Sequence, residues 1–370
     1  MATKNIIPFF GVKRQYENLR EEMLAVTDRV LSTGRVLDGD YTRAFETAIA
    51  TRCQRKFAIS VNSCTQGIVM ALQAVSRPGK VIIPALSFVA TVNSVLMTEH
   101  EPLFCDVDGY GLLDLESLHD SLNDKNISAV MYVNLYGNVI DYDRFKLLTD
   151  FFGRSPVIIE DAAQSFGGDW CGIPSGKLGD ISVLSFDPTK NFNNYGSGGM
   201  ILTDDFSIAE SLLDFKDNGK HGGHSWPGTN SKMSEVECAQ MLVKLQYFDE
   251  WQNRRNAIAK YYIQQLSSYI DIIGDSPNVG HSWHKFVVRH ENRKHLQHHL
   301  SMQGVETKIH YEHALTDLEV SIPYLPSNAV GSEFYNAEEL CKSCLSLPIY
   351  PELADGEVEF IAQSVKEFFW

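Results

Sequence analysis

Short, nearly continuous apolar runs recur along the first two hundred residues, and stretches with helical spacing lie among them. Lys56–Val61, Lys80–Ile83, Leu103–Cys105, Ser128–Val133, Val157–Glu160, Ile181–Phe186 and Met200–Leu202 read as strands, with helices such as Gln66–Val75 and Phe88–Met97 between them. Strands apolar on both faces belong to a sheet covered by helices on both sides, and strand–helix alternation makes such a sheet mainly parallel. Residues 181–186 and 200–202 have no helix between them, so one strand of that pair is expected to run antiparallel. The pattern changes after about residue 205. Ile208–Phe215 and the long, polar Glu235–Leu266 read as helices, followed by strands at Lys285–Val288 and Glu306–Ile309 and helices near 293–302 and 357–369. The expectation is an α/β fold: a large domain over 1–250 and a smaller C-terminal α+β domain over 251–370. At ~150 residues per domain, 370 residues suit two.

Composition then narrows the partners. Acidic residues number 47 against 32 basic, a net charge of −15. A nucleic-acid binder needs the opposite balance to displace counterions, so no nucleic acid is expected. No run approaches the ~18 apolar residues of a membrane span. Ile6 to Phe10 is too short for a secretion-signal core. Seven cysteines, odd in number and scattered through apolar context, suit a reduced, cytoplasmic chain.

Candidate chemistry gathers where strands end. Val157 to Glu160 delivers Asp161 off an apolar strand, ahead of Ala162, Ala163 and Gln164. Ile181–Phe186 ends at Ser185 and Phe186, Pro188 breaks the run, and Lys190 follows beside the Gly-rich turn Gly196–Gly199. Ser63, Cys64 and Thr65 open a helix after the first strand, a natural anion site. Ligands of open α/β sheets collect at the carboxyl ends of strands. An anion anchor, a carboxylate and a lysine are what pyridoxal 5'-phosphate requires for its phosphate, its ring nitrogen and its aldehyde. Taken singly, Lys190 could be a solvated charge, and Asp161 or Ser63 a helix cap. Their shared placement separates them from generic packing.

Other clusters are weaker. Eight of the twelve histidines fall between 281 and 313, and His295 and His299 share a helix face, yet the pair lacks a carboxylate between them and no metal is expected. Cys341 and Cys344 form a lone CxxC best explained by apolar helix packing.

The motifs Glu160-Asp161-Ala162-Ala163-Gln164 and Ser185-Phe186-x-Pro188-Thr189-Lys190-Asn191 resemble those of the DegT/DnrJ/EryC1/StrS sugar-nucleotide aminotransferases, which are fold-type I pyridoxal phosphate enzymes. The likeness runs from Ile7 to Pro351 and implies a seven-stranded, mainly parallel sheet. It implies Lys190 as the cofactor-bonding lysine and acid/base, Asp161 at the pyridinium nitrogen, and Gln164 near the phenolic oxygen. Phe88 would stack on the ring, while Cys64, Thr65 and Ser185 would bind the phosphate. Asn230 would reach that phosphate from the other subunit of a homodimer. His310 and Tyr311 would line the sugar pocket. The substrates would be a nucleotide-linked keto-sugar and an amino acid, with pyridoxamine 5'-phosphate formed between half-reactions. Residues 230–235, 244–255 and 345–351 lean towards amination at C3 of a dTDP-3-keto-6-deoxyhexose. The alternatives are a 4-aminotransferase, a 3-dehydratase and a non-catalytic homologue. Two positions depart from the usual pattern: Cys64 replaces a glycine, and Ser197 an acidic or small residue.

Overall fold

Helices α1 (Val12–Thr33) and α2 (Asp40–Arg52) precede the first strand. The computed structural model describes residues 6–75, 77–151, 156–225, 227–274, 279–325 and 333–370. In α1, Leu19, Met23, Val26 and Val30 are buried at helical spacing, and the helix stops at Gly34, whose φ of 70° costs a glycine little. The strands are β1 (Phe57–Val61), β2 (Lys80–Pro84), β3 (Glu101–Cys105), β4 (Ile127–Val133), β5 (Val157–Asp161), β6 (Ile181–Ser185) and β7 (Gly199–Thr203). Helices α3 (Cys64–Gln73), α4 (Ala90–Leu96), α5 (Leu115–Ser121) and α6 (Tyr142–Phe151) connect them, and α7 (Phe206–Lys216) follows.

These strands form one sheet in the order β1-β7-β6-β5-β4-β2-β3. Every expected strand of the sheet is present, with ends within two residues of those expected. The antiparallel member is β7, which opposes both β1 and β6. Successive side chains alternate between faces. Val81, Ile83, Ala129, Met131, Ile159, Val183 and Ile201 pack in one cluster with residues of α3 and α4. Ile82, Val130 and Tyr132 pack on the opposite side with Leu118 and Phe145. Each such aliphatic side chain removed from water contributes roughly 1.5–3 kcal/mol, which is why both faces must be apolar.

Helix α8 (Glu235–Leu266) begins with a reciprocal cap: Glu237 N–H donates to Ser234 Oγ at 3.2 Å, and Ser234 N–H to the Glu237 carboxylate at 2.9 Å. Its first half packs Cys238, Met241, Phe248 and Trp251 with Phe45, Phe186 and Phe192. Its second half packs Ile258, Tyr262 and Leu266 into a C-terminal core with Phe286, Leu345 and Ile361. Residue 250, the expected domain boundary, thus lies inside a continuous helix. Beyond it come β8 (Asp271–Ile273), β9 (Phe286–Arg289), α9 (Arg293–Gln303), α10 (Tyr335–Ser343), β10 (Cys344–Leu347) and α11 (Asp355–Glu367). Strands β8, β9 and β10 make an antiparallel sheet in that order. Ile7 joins this C-terminal core, its N–H donating to Gly304 O at 2.9 Å.

Two expectations are corrected here. Residues 306–309 form no strand; Lys308 makes one isolated bridge to Ser346 on β10 and the chain then departs. Cys341 and Cys344 are both buried, but only Cys341 is on a helix, since the backbone turns extended at Cys344 (φ −71°, ψ 136°) and enters β10. On α9, the His299 ring hydrogen-bonds Ser364 O on α11 at 2.9 Å.

Candidate active site

The carboxyl ends of β1, β2, β4, β5 and β6 converge on a cavity of about 400 Å³. Being antiparallel, β7 brings its opposite end there, and Ser197 and Gly198 join the lining. Nine of the ten residues expected from the sequence are on its wall: Cys64, Thr65, Phe88, Asp161, Gln164, Ser185, Lys190, His310 and Tyr311. Asn230 is elsewhere, exposed, with its backbone bridged to Asp217.

The start of α3 forms one side. Ser63 Oγ accepts from Gln66 N–H at 3.1 Å, while the first-turn N–H groups of Cys64 and Thr65 have no partner inside the helix. Gly199 lets β7 approach, because a Cβ there would fall 2.8 Å from Cys64 N. The Cys64 side chain rests against the apolar cluster beneath α3, and burial pushes its thiol well above the usual range, so it is neutral.

Glu160 and Asp161, adjacent on β5, point to opposite faces. Glu160 is fully buried and takes hydrogen bonds from Asn134, Ser175, Gly176, Leu178 and Ser182 at 2.6–3.0 Å. It anchors the strand that presents Asp161 to the cavity. Asp161 is pushed up to about 6 by burial, against the hydrogen bond from Ala163 N–H at 3.0 Å and the charge of Lys190. A buried carboxylate in that state gains from a cationic partner.

Lys190 sits in a pinned loop. Its N–H donates to Asp187 O at 2.9 Å, and the Asp187 carboxylate accepts from Thr189 N–H at 2.9 Å and Thr189 Oγ1 at 2.6 Å. Asn191 Nδ2 donates to Phe166 O at 2.5 Å on the other side. Gln164 is held at both ends: its Oε1 accepts from Tyr136 N–H at 2.9 Å and its Nε2 donates to Tyr311 Oη at 3.1 Å. Phe88 is 52% exposed, its ring 5.9 Å from that of Tyr311. His310 Nδ1 meets Ser346 Oγ at 2.8 Å, and its carbonyl accepts from Tyr136 Oη.

The cavity also contains Phe10, Thr91, His284, Lys285 and Lys308, none of which stands out as a site residue from the sequence alone. One signal was present: Lys285 heads an otherwise apolar strand, an unusual place for a lysine. Phe10 carried no signal, since it comes from the opposite end of the chain.

These residues fit pyridoxal phosphate. A helix start and Ser185 offer donors to a phosphate, Asp161 suits a protonated ring nitrogen, and Lys190 offers the amine. Comparison with known proteins agrees. The chain is 32% identical to dTDP-3-amino-3,4,6-trideoxy-alpha-D-glucose transaminase of Streptomyces venezuelae, across 98% of this chain and 96% of that one. It is 31% identical, over 98% of both chains, to a Geobacillus stearothermophilus protein named pleiotropic regulatory protein. The crystal structure of S. venezuelae DesV in complex with a ketimine intermediate matches with a TM-score of 0.93 at 31% identity, covering 98% of each chain. Fold and site define a pyridoxal phosphate-dependent aminotransferase. Residues 17–366 match the family model, and the chain belongs to the DegT/DnrJ/EryC1/StrS aminotransferase family, whose members include sugar-nucleotide transaminases.

Proposed function

We propose that the enzyme transfers the amino group of L-glutamate to C3 of a dTDP-linked 3-keto-6-deoxyhexose and acts as a homodimer. The observation that carries transamination is the meeting of Lys190, Asp161 and Gln164 on one wall of one cavity. Bound there, pyridoxal phosphate supplies an electron sink for the carbanion left when the donor loses its α-proton. Thr65, Cys64 and Ser185 would hold the phosphate, Asp161 would keep the ring nitrogen protonated, and Phe88 would cover the ring. Lys190 Nζ would serve as the acid/base that takes up and returns the donor's α-proton. The keto-sugar would use the same cavity after the donor, so ping-pong kinetics are expected.

C3 is favoured by the name of the Streptomyces venezuelae relative, a transaminase of a 3-amino sugar. The segments at 230–235, 244–255 and 345–351 lean the same way. Misplacing the reacting carbon by ~1 Å can cost ~100-fold in rate, so one clamped pose serves one carbon. The 3-keto substrate should therefore be aminated with a kcat/KM far above that of its 4-keto isomer, with the new amine located by NMR. An amine at C4 rejects the regiochemistry and leaves transamination intact. A 3-dehydratase is disfavoured because members of the family with that activity carry histidine at the lysine position. The regulatory name of one relative favours a second reading, a non-catalytic binding protein. Absorbance separates them: a yellow holoenzyme bleached by glutamate is a transaminase, whereas a colourless protein unchanged by added cofactor is not.

Asn230 tests the dimer. Its exposure away from its own chain's cavity suits a reach into a partner's site. Mixing Lys190→Ala with Asn230→Ala chains should restore activity in heterodimers, each of which holds one intact site. Verified heterodimers without regained activity would remove Asn230 from the partner's site.

A further inference from the structure

One wall of the cavity gathers two lysine amines, Lys285 and Lys308, with no carboxylate beside them among the described residues. Lys285 is 4% exposed and its Nζ lies 4.6 Å from the Phe10 ring centre and 5.3 Å from that of Phe9. Lys308 Nζ lies 5.9 Å from the same Phe10 ring. Aromatic faces attract cations without neutralising them. Among the described residues, neither ammonium has a carboxylate within 4.0 Å. Burial, helped by the charges of Lys190, Arg255 and Lys308, holds the Lys285 amine well below its usual range, and an anion seated beside it would restore its charge. An independent sign points the same way: His284, 3% exposed and on the same wall, has a buried Nδ1 without a hydrogen-bond partner.

The cofactor phosphate does not meet this need, because its donors are at the start of α3 and at Ser185. A small carboxylate suits an amine buried against Phe9 and Phe10 better than a bulky sugar diphosphate does. A carboxylate one bond from the carbon that reacts at Lys190 is the right size, since Lys285 and Lys190 line the same wall.

We propose that Lys285 and Lys308, with His284 behind them, form a carboxylate subsite that seats the α-carboxylate of the amino-acid donor. This rests on the transamination reading and deepens it, because a pocket shared by two substrates needs a separate handle for each. The subsite would hold the donor's α-carbon at Lys190 Nζ and would stand empty of carboxylate when the neutral keto-sugar ring occupies the cavity.

The test uses the pyridoxal phosphate holoenzyme and glutarate, which offers carboxylates but no amine. By titration calorimetry, Lys285→Met and Lys308→Met should each weaken glutarate about tenfold or more, the effect of losing one charged hydrogen bond. Lys285→Arg should stay within a few-fold of wild type. Methionine keeps the packing on Phe10, and melting curves verify the fold; the exposed Lys308 provides the second variant. In half-reactions, the apparent Kd for L-glutamate should rise about tenfold in Lys285→Met. Reaction of the pyridoxamine phosphate form with a dTDP-3-keto-6-deoxyhexose should change less than about threefold. Unchanged glutarate binding, equal losses in both half-reactions, or a loss confined to the sugar side would each overturn the proposal. A wild-type enzyme that glutamate, aspartate and alanine all leave yellow would count against transamination itself, and the glutarate titration would still decide the subsite.

Discussion

Lys190→Ala is expected to leave less than about a hundredth of the wild-type kcat, a barrier increase above about 2.7 kcal/mol. In the proposed assignment the lysine would both bond the cofactor and move the proton between donor and cofactor carbons, so a single truncation would remove both roles. Lys285 is held over Phe9 and Phe10, and Lys308 is on a separate segment beside β10. Thr65, Ser185 and Asp161 remain, so the variant should still bind pyridoxal phosphate, measured by dialysis against free cofactor. Purified variant that retains more than a hundredth of wild-type kcat, free of contaminating transaminase, rules out the assignment.

Asp161→Asn should lower kcat about 100-fold or more, the scale found when a preorganised electrostatic partner is removed from a reacting site. It should act in the opposite direction on the cofactor-free fold. The folded-state value of Asp161 is about 6, against an ordinary 3.8. A carboxyl raised in this way stabilises the fold below the unfolded value, and that contribution is lost as pH rises through about 6. Two pH units correspond to roughly 3 kcal/mol. Apo Asp161→Asn should therefore melt above apo wild type at pH 8, with the gap narrowing towards pH 4. With cofactor bound the order should reverse, because the ring nitrogen then supplies the missing cation. Equal melting temperatures for the two apo proteins at pH 8 would contradict this account.

The large sheet was legible because its strands are apolar on both faces, so periodicity and length pointed the same way. Helix α8 was legible as one long polar segment, whereas its Ser234–Glu237 cap and the two cores it fills emerged only from the fold. Asp161 and Ser185 could be read because each closes an apolar run, whereas Phe88, Gln164, Asn230, His310 and Tyr311 were carried by the family resemblance. What could not be read came from long-range docking. Residues 306–309 have a strand-like composition, yet tertiary contacts leave only the single bridge at Lys308. Phe10 reaches the cavity because Ile7 is anchored to Gly304 and Val305, a pairing across some three hundred residues that no local pattern encodes. Lys285 looked like a strand's polar first residue, and only the fold shows that it is buried against Phe9 and Phe10.

Helix α8 spans 32 residues, about 48 Å, without a break between the two cores it fills. The cavity walls are stitched together as well, by Gln164 to Tyr311, Ser282 to the Gln164 carbonyl, and Lys285 N–H to the Tyr136 carbonyl. Any hinge between the two cores would have to break these bonds and bend that helix. New sugar preferences in such a scaffold would then arise most readily by replacing single side chains on the cavity's frame, Phe88 or Tyr311 among them.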